Sequence, residues 1–240
     1  MTFQRTDFNL FPLGNPIEYK PGHFCDVGLI EEKIWPLLMP ERQKKIERVA
    51  AGRCFDISVV LEGIYDRGNI SAVMRTAEGL GFSNFHIIET FEKFKNANRV
   101  TQGADKWVET KKWKSTTEAI RYFKDNKIRI CVTSLESAKP IHEIDFSTPL
   151  ALVLGNEKSG ASAEIIEAAD ERVIIPMPGF VQSFNISVAG ALSLYQIYQN
   201  RLNTLGKNQD VTTEQIRILK AQYALRTLDS AEAILDSMNK

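Results

Sequence analysis

The chain has 240 residues, 43% of them hydrophobic and 25% charged, and its 30 Lys and Arg balance 30 Asp and Glu. This is the composition of an ordinary soluble protein, long enough for one generous domain with a small appendage and large enough to bury a core without disulfides. It excludes a uniformly basic nucleic-acid binder. Apolar runs such as Pro149–Leu154 are too short to span a bilayer, and the three scattered cysteines (Cys25, Cys54, Cys131) form neither a disulfide framework nor a zinc motif.

Along the chain, Met1–Gly28 reads as an irregular arm rich in Pro, Gly and aromatics. The first ten residues lack the apolar stretch of a signal peptide, so the expected compartment is the cytosol. Leu29–Leu38 and Pro40–Ala51 are expected helices, Pro40 suiting a first helical turn. The second carries a basic run, Arg42, Lys44, Lys45 and Arg48, followed by Arg53; Lys106, Lys111, Lys112 and Lys114 form another. On charge alone both read as solvated faces.

Strands then alternate with helices. Strands are expected at Ile57–Ile64, Phe85–Ile88, Ile128–Thr133, Leu150–Leu154 and Arg172–Ile175. Expected helices are Ile70–Leu80 capped by Asn69, one opened by the Ser115/Glu118 capping box, Ala163–Ala169 capped by Ser162, and Ile186–Arg201 capped by Asn185. A last amphipathic helix covers much of Glu214–Leu235, opened by Thr212 with Gln215. Such alternation predicts an α/β fold with a parallel sheet covered on both faces. Ligands of such sheets bind beyond the carboxyl ends of the strands. The loops to search are therefore 65–69, 134–139, 155–160 and 177–185.

Several familiar motifs fail. Gly155–Gly160 (GNEKSG) has P-loop glycine spacing but continues Ala161–Ser162, without the lysine that meets phosphate charge. Gly79-Leu80-Gly81 begins a dinucleotide fingerprint, but Asn84 replaces the last glycine and the segment ends a helix where it must start one. That argues against a nucleotide-dependent oxidoreductase. His23, His86 and His142 show no metal spacing; His86, inside a strand, reads as structural.

Three segments survive: Asn69-Ile70-Ser71-Ala72-Val73-Met74-Arg75; Leu152 to Gly160; and Ile174 to Gly179 running on to Gln182-Ser183-Phe184-Asn185-Ile186-Ser187. In order and separation they resemble the signature motifs of the SpoU branch of the SPOUT RNA 2′-O-methyltransferases, from about Arg42 onward. The resemblance implies a deep trefoil knot, otherwise almost absent from proteins. It also implies a homodimer and S-adenosylmethionine bound by the knot loops, at Thr133, Ser134, Leu135, Leu154, Gly155, Ile175, Met177 and Phe184. Gly155 is then expected to let backbone approach the ligand. Arg75 matches the family's catalytic arginine. Because a guanidinium loses its proton only above pH 12 or so, the role expected for it is phosphate grip and stabilisation of the developing alkoxide. Asn69, Glu157, Ser183 and Asn185 match further motif positions.

The short flanking helices resemble the TrmH-like enzymes that methylate a guanosine in the D-loop of tRNA, as does the string Thr101-Gln102-Gly103-Ala104-Asp105-Lys106-Trp107. Arg42 and Arg53 match that group's RNA-contacting arginines, and Lys45 stands where another is expected. Gly68 stands where the best-known members have a histidine. The expected organisation is an arm with helices over 1–54, the catalytic α/β-knot domain over 55–202 and a helical extension over 203–240. The alternatives are ribosomal RNA as substrate, or an inert RNA-binding module on the same fold.

Overall fold

A computed structural model describes residues 10–89 and 103–238. Two compact units make up the chain, and the smaller one is discontinuous: Phe11–Arg53 packs with the chain from Gln209 onward. Part of the expected irregular arm is ordered as an antiparallel hairpin, β1 (Ile17–Lys20) with β2 (His23–Cys25). Its signal was missed because the strands are short, although Ile17 and Tyr19 are buried in alternation. Residues 1–9 of that arm lie outside the described residues.

Helix α1 (Val27–Lys33) starts earlier than expected, because the Asp26 carboxylate accepts from Gly28 N at 2.7 Å and caps it. A turn of 3₁₀ helix, Trp35–Leu37, replaces its expected second half, since Pro36 has no N–H to continue an α-helix. Helix α2 runs over Pro40–Ala51, as expected.

At the other end, the single expected helix is two, α7 (Thr213–Thr227) and α8 (Ala231–Met238). The break falls at Asp229-Ser230, residue types that favour caps and turns over helix interiors. Arg217 of α7 grips Glu31 of α1 through both Nε and a terminal nitrogen, and Tyr19 donates to Asp236 of α8.

The larger unit, Cys54–Asn208, carries β3 (Cys54–Glu62), α3 (Arg67–Gly79), β4 (Phe82–Ile88), β5 (Glu109–Trp113), α4 (Thr116–Asp125) and β6 (Arg129–Thr133). It continues with β7 (Lys139–Pro140), β8 (Leu150–Leu154), α5 (Ala163–Ala168), β9 (Glu171–Ile174) and α6 (Ile186–Leu205). The strands form a seven-stranded sheet in the order β5-β4-β3-β8-β6-β9-β7, parallel throughout.

Alternate residues of each central strand serve opposite faces. Ile57, Val59 and Leu61 of β3 join Leu150, Leu152 and Leu154 of β8 beneath α3 and α6. Val60, Ala151, Val153, Ile130 and Val132 join Phe123 of α4 and Ile165 of α5 on the other side. Two edge strands escaped the sequence reading. β5 is lysine-rich, and β7 is two residues long and contains a proline; both are ways of blunting a sheet edge.

Helix α3 begins three residues before its expected start. Asp66, not Asn69, is its cap, accepting from Gly68 N at 2.7 Å. Asn69 therefore lies inside the first turn with its side chain free for other work. Among the described residues no helix is long and apolar enough to cross a membrane.

Candidate functional site

The parallel strands β3, β8, β6 and β9 are neighbours, so the loops leaving their carboxyl ends gather along one edge of the sheet. Three attachments stitch the end of β3 and the loop after it to the loop after β8. Asn69 Nδ2 donates to Glu157 Oε1 at 3.0 Å, and Tyr65 N donates to Glu157 Oε2 at 3.4 Å. The Asn156 amide donates to Gly63 O at 2.6 Å. Asn156 Oδ1 also accepts from Lys158 N and Ser159 N, and its backbone exchanges two hydrogen bonds with Gly160. The third is Glu62, whose two oxygens take donors from Thr116 and Ser162. Of these, the sequence singled out Asn69 and Glu157, but not Asn156 or Glu62. A charged residue closing the apolar run Val59-Val60-Leu61 was the available signal for Glu62, since a buried carboxylate needs donors.

Gly155 is required by the packing of its own loop. A Cβ there would lie 2.1 Å from Ala161 N and 2.5 Å from Ala161 Cα. Its close approach is to the protein's own returning chain. The loop folds back so tightly that only a residue without Cβ fits.

Arg75 projects from the exposed side of α3, while Ile70, Val73, Met74 and Ala77 face the core. Among the described residues no hydrogen bond or ion pair holds its guanidinium. The positions expected to hold a cofactor fall on three adjacent strand ends. Leu154 is buried in β8; Thr133 Oγ1 donates to Val153 O, and Ser134 N donates to Val173 O, tying the loop after β6 to its neighbours. Ile175 and Met177 are half-buried, whereas Leu135 and Phe184 are exposed. Partly open apolar side chains beside backbone amides suit a flat, uncharged base.

Ser183 is exposed and makes no side-chain hydrogen bond among the described residues. Asn185 caps α6 as expected: its Oδ1 accepts from Ser187 N at 2.9 Å and Ser187 Oγ at 2.6 Å.

Of the three expected RNA contacts, Arg42 and Lys45 are exposed on α2. Arg53 is not: it is 1% exposed, with Nε donating to the Tyr223 hydroxyl at 2.9 Å and its guanidinium over the Tyr223 ring. The phenol supplies both the acceptor and the π-face that phosphate and base would have offered. Arg53 ties α2 to α7 and cannot reach RNA in this arrangement.

His86 is structural, as the sequence implied. The Trp113 indole donates to its Nδ1 and Nε2 faces Asn84 Oδ1; burial and the Lys111 charge push its pKa down to about 3. Burial likewise pushes the Cys131 thiol up to about 12, too high for a nucleophile at neutral pH. Among the described residues no group of His, Cys, Asp and Glu could hold a metal ion.

The segment carrying these loops, residues 56–195, matches the model of the SpoU rRNA methylase family. The chain belongs to the SpoU methylase family. Its relatives include the tRNA (guanosine(18)-2′-O)-methyltransferase of Thermus thermophilus, 35% identical over 67% of this chain and 84% of that one. The Escherichia coli protein of the same description is 33% identical over 68% of this chain and 72% of that one. In three dimensions the fold is similar to an Aquifex aeolicus TrmH/SpoU tRNA-modifying enzyme, with a TM-score of 0.72 and 30% identity over 78% of this chain and 97% of that chain. The SpoU match therefore covers all three motif loops, and with them the cluster around Asn69 and Glu157.

Proposed function

We propose that this protein is an S-adenosylmethionine-dependent tRNA ribose 2′-O-methyltransferase acting on a D-loop guanosine. Membership of the SpoU family carries the reading, together with relatives described as tRNA (guanosine(18)-2′-O)-methyltransferases. A cytosolic location goes with that substrate.

The groups proposed to hold the cofactor are the backbone of Thr133, Ser134, Leu135, Leu154, Gly155 and Ile175, with Met177 and Phe184 as apolar walls. When bound, S-adenosylmethionine supplies a methyl group on sulfonium, open to in-line displacement by an oxygen nucleophile. The chain's own residues orient that nucleophile and manage its charge. Arg75, exposed and without a hydrogen-bond or ion-pair partner among the described residues, grips the phosphate next to the target ribose and hydrogen-bonds the 2′-oxygen as negative charge develops on it. Glu157 holds Asn69 beneath the substrate, and Asn185 caps α6 through its carbonyl oxygen. Arg42 and Lys45 on α2 meet the RNA backbone. The trefoil knot belongs to this proposal, as the topology that brings the loops after β8 and β9 together.

So does a homodimer. Val188, Leu192 and Tyr195 recur at helical spacing on the outer side of α6 and remain exposed, next to exposed Phe180, Val181 and Phe184. Such a stripe fits a second copy of the chain.

The test is nucleoside mass spectrometry on tRNA incubated with the protein and isotopically labelled S-adenosylmethionine. Labelled 2′-O-methylguanosine mapping to the D-loop is the expected product. A different 2′-O-methyl nucleoside overturns the target, and label only in ribosomal RNA, which the family's description names, overturns the substrate class. Arg75→Ala is expected to lose methylation by about a hundredfold or more while retaining the cofactor. Undiminished turnover removes Arg75 from the mechanism.

A further inference from the structure

Glu62 ends β3 and is 3% exposed. Its Oε1 accepts from Thr116 Oγ1 and from Ser162 Oγ, both at 2.7 Å, and its Oε2 accepts from Ser162 N at 2.8 Å. A carboxylate taken from water needs this many donors to be tolerated. The donors come from two places: the first turn of α4, and the residue that closes the loop begun at Gly155.

The second attachment has a consequence the first lacks. Ser162 follows Ala161 directly, and Ala161 is the residue pressed against Gly155. Fixing Ser162 fixes Ala161, and Ala161 leaves the Gly155 backbone a single path. Ser162 also caps α5 through Ile165 N, so its hydroxyl donates to Glu62 and accepts from the helix at once. On the opposite side of the same loop, Asn156 is tied to Gly63, the residue after Glu62. The loop is thus gripped at both ends by consecutive residues of one strand terminus.

We propose that Glu62 is a positioning residue for the cofactor, acting through Ser162 and Ala161 to hold the Gly155 backbone where the adenosyl group rests. This rests on the methyltransferase reading above. The competing role is plain architecture, with Glu62 joining α4 and α5 to the sheet and no bearing on ligand binding. Thr116 separates the two, because it donates to the same oxygen but lies on α4, a helix that contributes none of the groups proposed to touch the cofactor.

The experiment uses the full chain and three variants, Glu62→Gln, Ser162→Ala and Thr116→Val. S-Adenosylmethionine affinity is measured by calorimetry, methylation kinetics with tRNA, and stability by thermal unfolding. Glu62→Gln leaves an amide facing the Ser162 N–H, and Ser162→Ala removes the hydroxyl link. Each is expected to raise the Kd and KM for S-adenosylmethionine about tenfold, with kcat at saturating cofactor and tRNA affinity nearly unchanged. Thr116→Val is expected to lower the melting temperature without moving the cofactor Kd. If Glu62→Gln and Ser162→Ala bind cofactor as the parent does while melting earlier, Glu62 is architectural and the proposal is wrong. If the parent chain binds no S-adenosylmethionine, the methyltransferase reading itself falls and takes this one with it. If the parent binds cofactor and only the variants lose it, the proposal stands whichever RNA proves to be the substrate.

Discussion

Residues 155–162 and 176–185 leave strands that flank the same neighbour, β6, yet the two stretches are held very differently. The first is fastened by Glu62, Asn156 and Glu157, and its backbone is packed so closely that a methyl group would not fit at Gly155. In the second, Phe180 is fully exposed and Val181 is 67% exposed, a Cβ added at Gly179 would meet nothing, and the side-chain hydrogen bonds among the described residues are those of Asn185 at its far end. One wall of the proposed site is organised before any ligand arrives; the other is left open. Preorganisation lowers the ordering cost of binding, and an open wall lets substrate in.

The two loops differ most sharply at their glycines. Gly155→Ala is expected to destabilise the chain by about 3 kcal/mol or more, because the new methyl meets backbone that cannot rotate away. Gly179→Ala is expected to change stability by less than about 0.5 kcal/mol. Urea unfolding of both variants decides the matter, and equal costs would erase the distinction between the loops.

His86, away from both loops, gives a second probe. Burial holds its folded pKa near 3 against an ordinary value of 6.5. Between those values the unfolded chain binds more protons than the folded one. The contribution of the neutral ring is therefore complete above pH 6.5 and is lost as pH falls toward 3, with a slope of at most about 1.4 kcal/mol per pH unit. His86→Gln keeps an acceptor for the Trp113 indole but does not titrate, so urea midpoints measured across this range should flatten. An unchanged slope would assign the acid sensitivity elsewhere.

Smaller effects are expected at single side chains of each loop. Asn156→Ala removes the bond to Gly63 O and the acceptor for two loop amides, for an expected loss of about 1–2 kcal/mol by urea unfolding. Phe180→Ser in the open stretch is expected to stay within about 0.5 kcal/mol of the parent in the same assay. A large loss there would mean that the second loop is packed after all.

The sequence disclosed what depends on local chemistry. Strand β8 and helix α2 fall at their expected bounds, and the caps Ser115, Ser162, Asn185 and Thr212 form, although Glu118 accepts from Lys114 N rather than closing a capping box on Ser115. It was silent where a neighbour decides. Lysine-rich β5 becomes a strand because β4 offers it a parallel partner, and nothing in Glu109–Trp113 alone announces that. Asp66 and Asn69 were both competent caps, and the backbone chose the earlier one. In the site, motif positions such as Arg75 and Glu157 could be named from the chain. The purpose of Gly155 and the burial of Arg53 depended on Ala161 and Tyr223, residues that come near only after folding.

The discontinuous unit bears on the order in which the molecule is made. Glu31 waits for Arg217, and Tyr19 waits for Asp236, while the whole of Cys54–Asn208 is synthesised between them. Closing so long a loop carries an entropic cost that local contacts do not, and long-range pairings form late. A ribosome-bound chain can therefore complete its parallel sheet while the hairpin and first helices still lack their partners. The basic helix bearing Arg42 and Lys45 would be among the last parts to set, and truncation after Asn208 would leave Phe11–Arg53 without the segment it packs with.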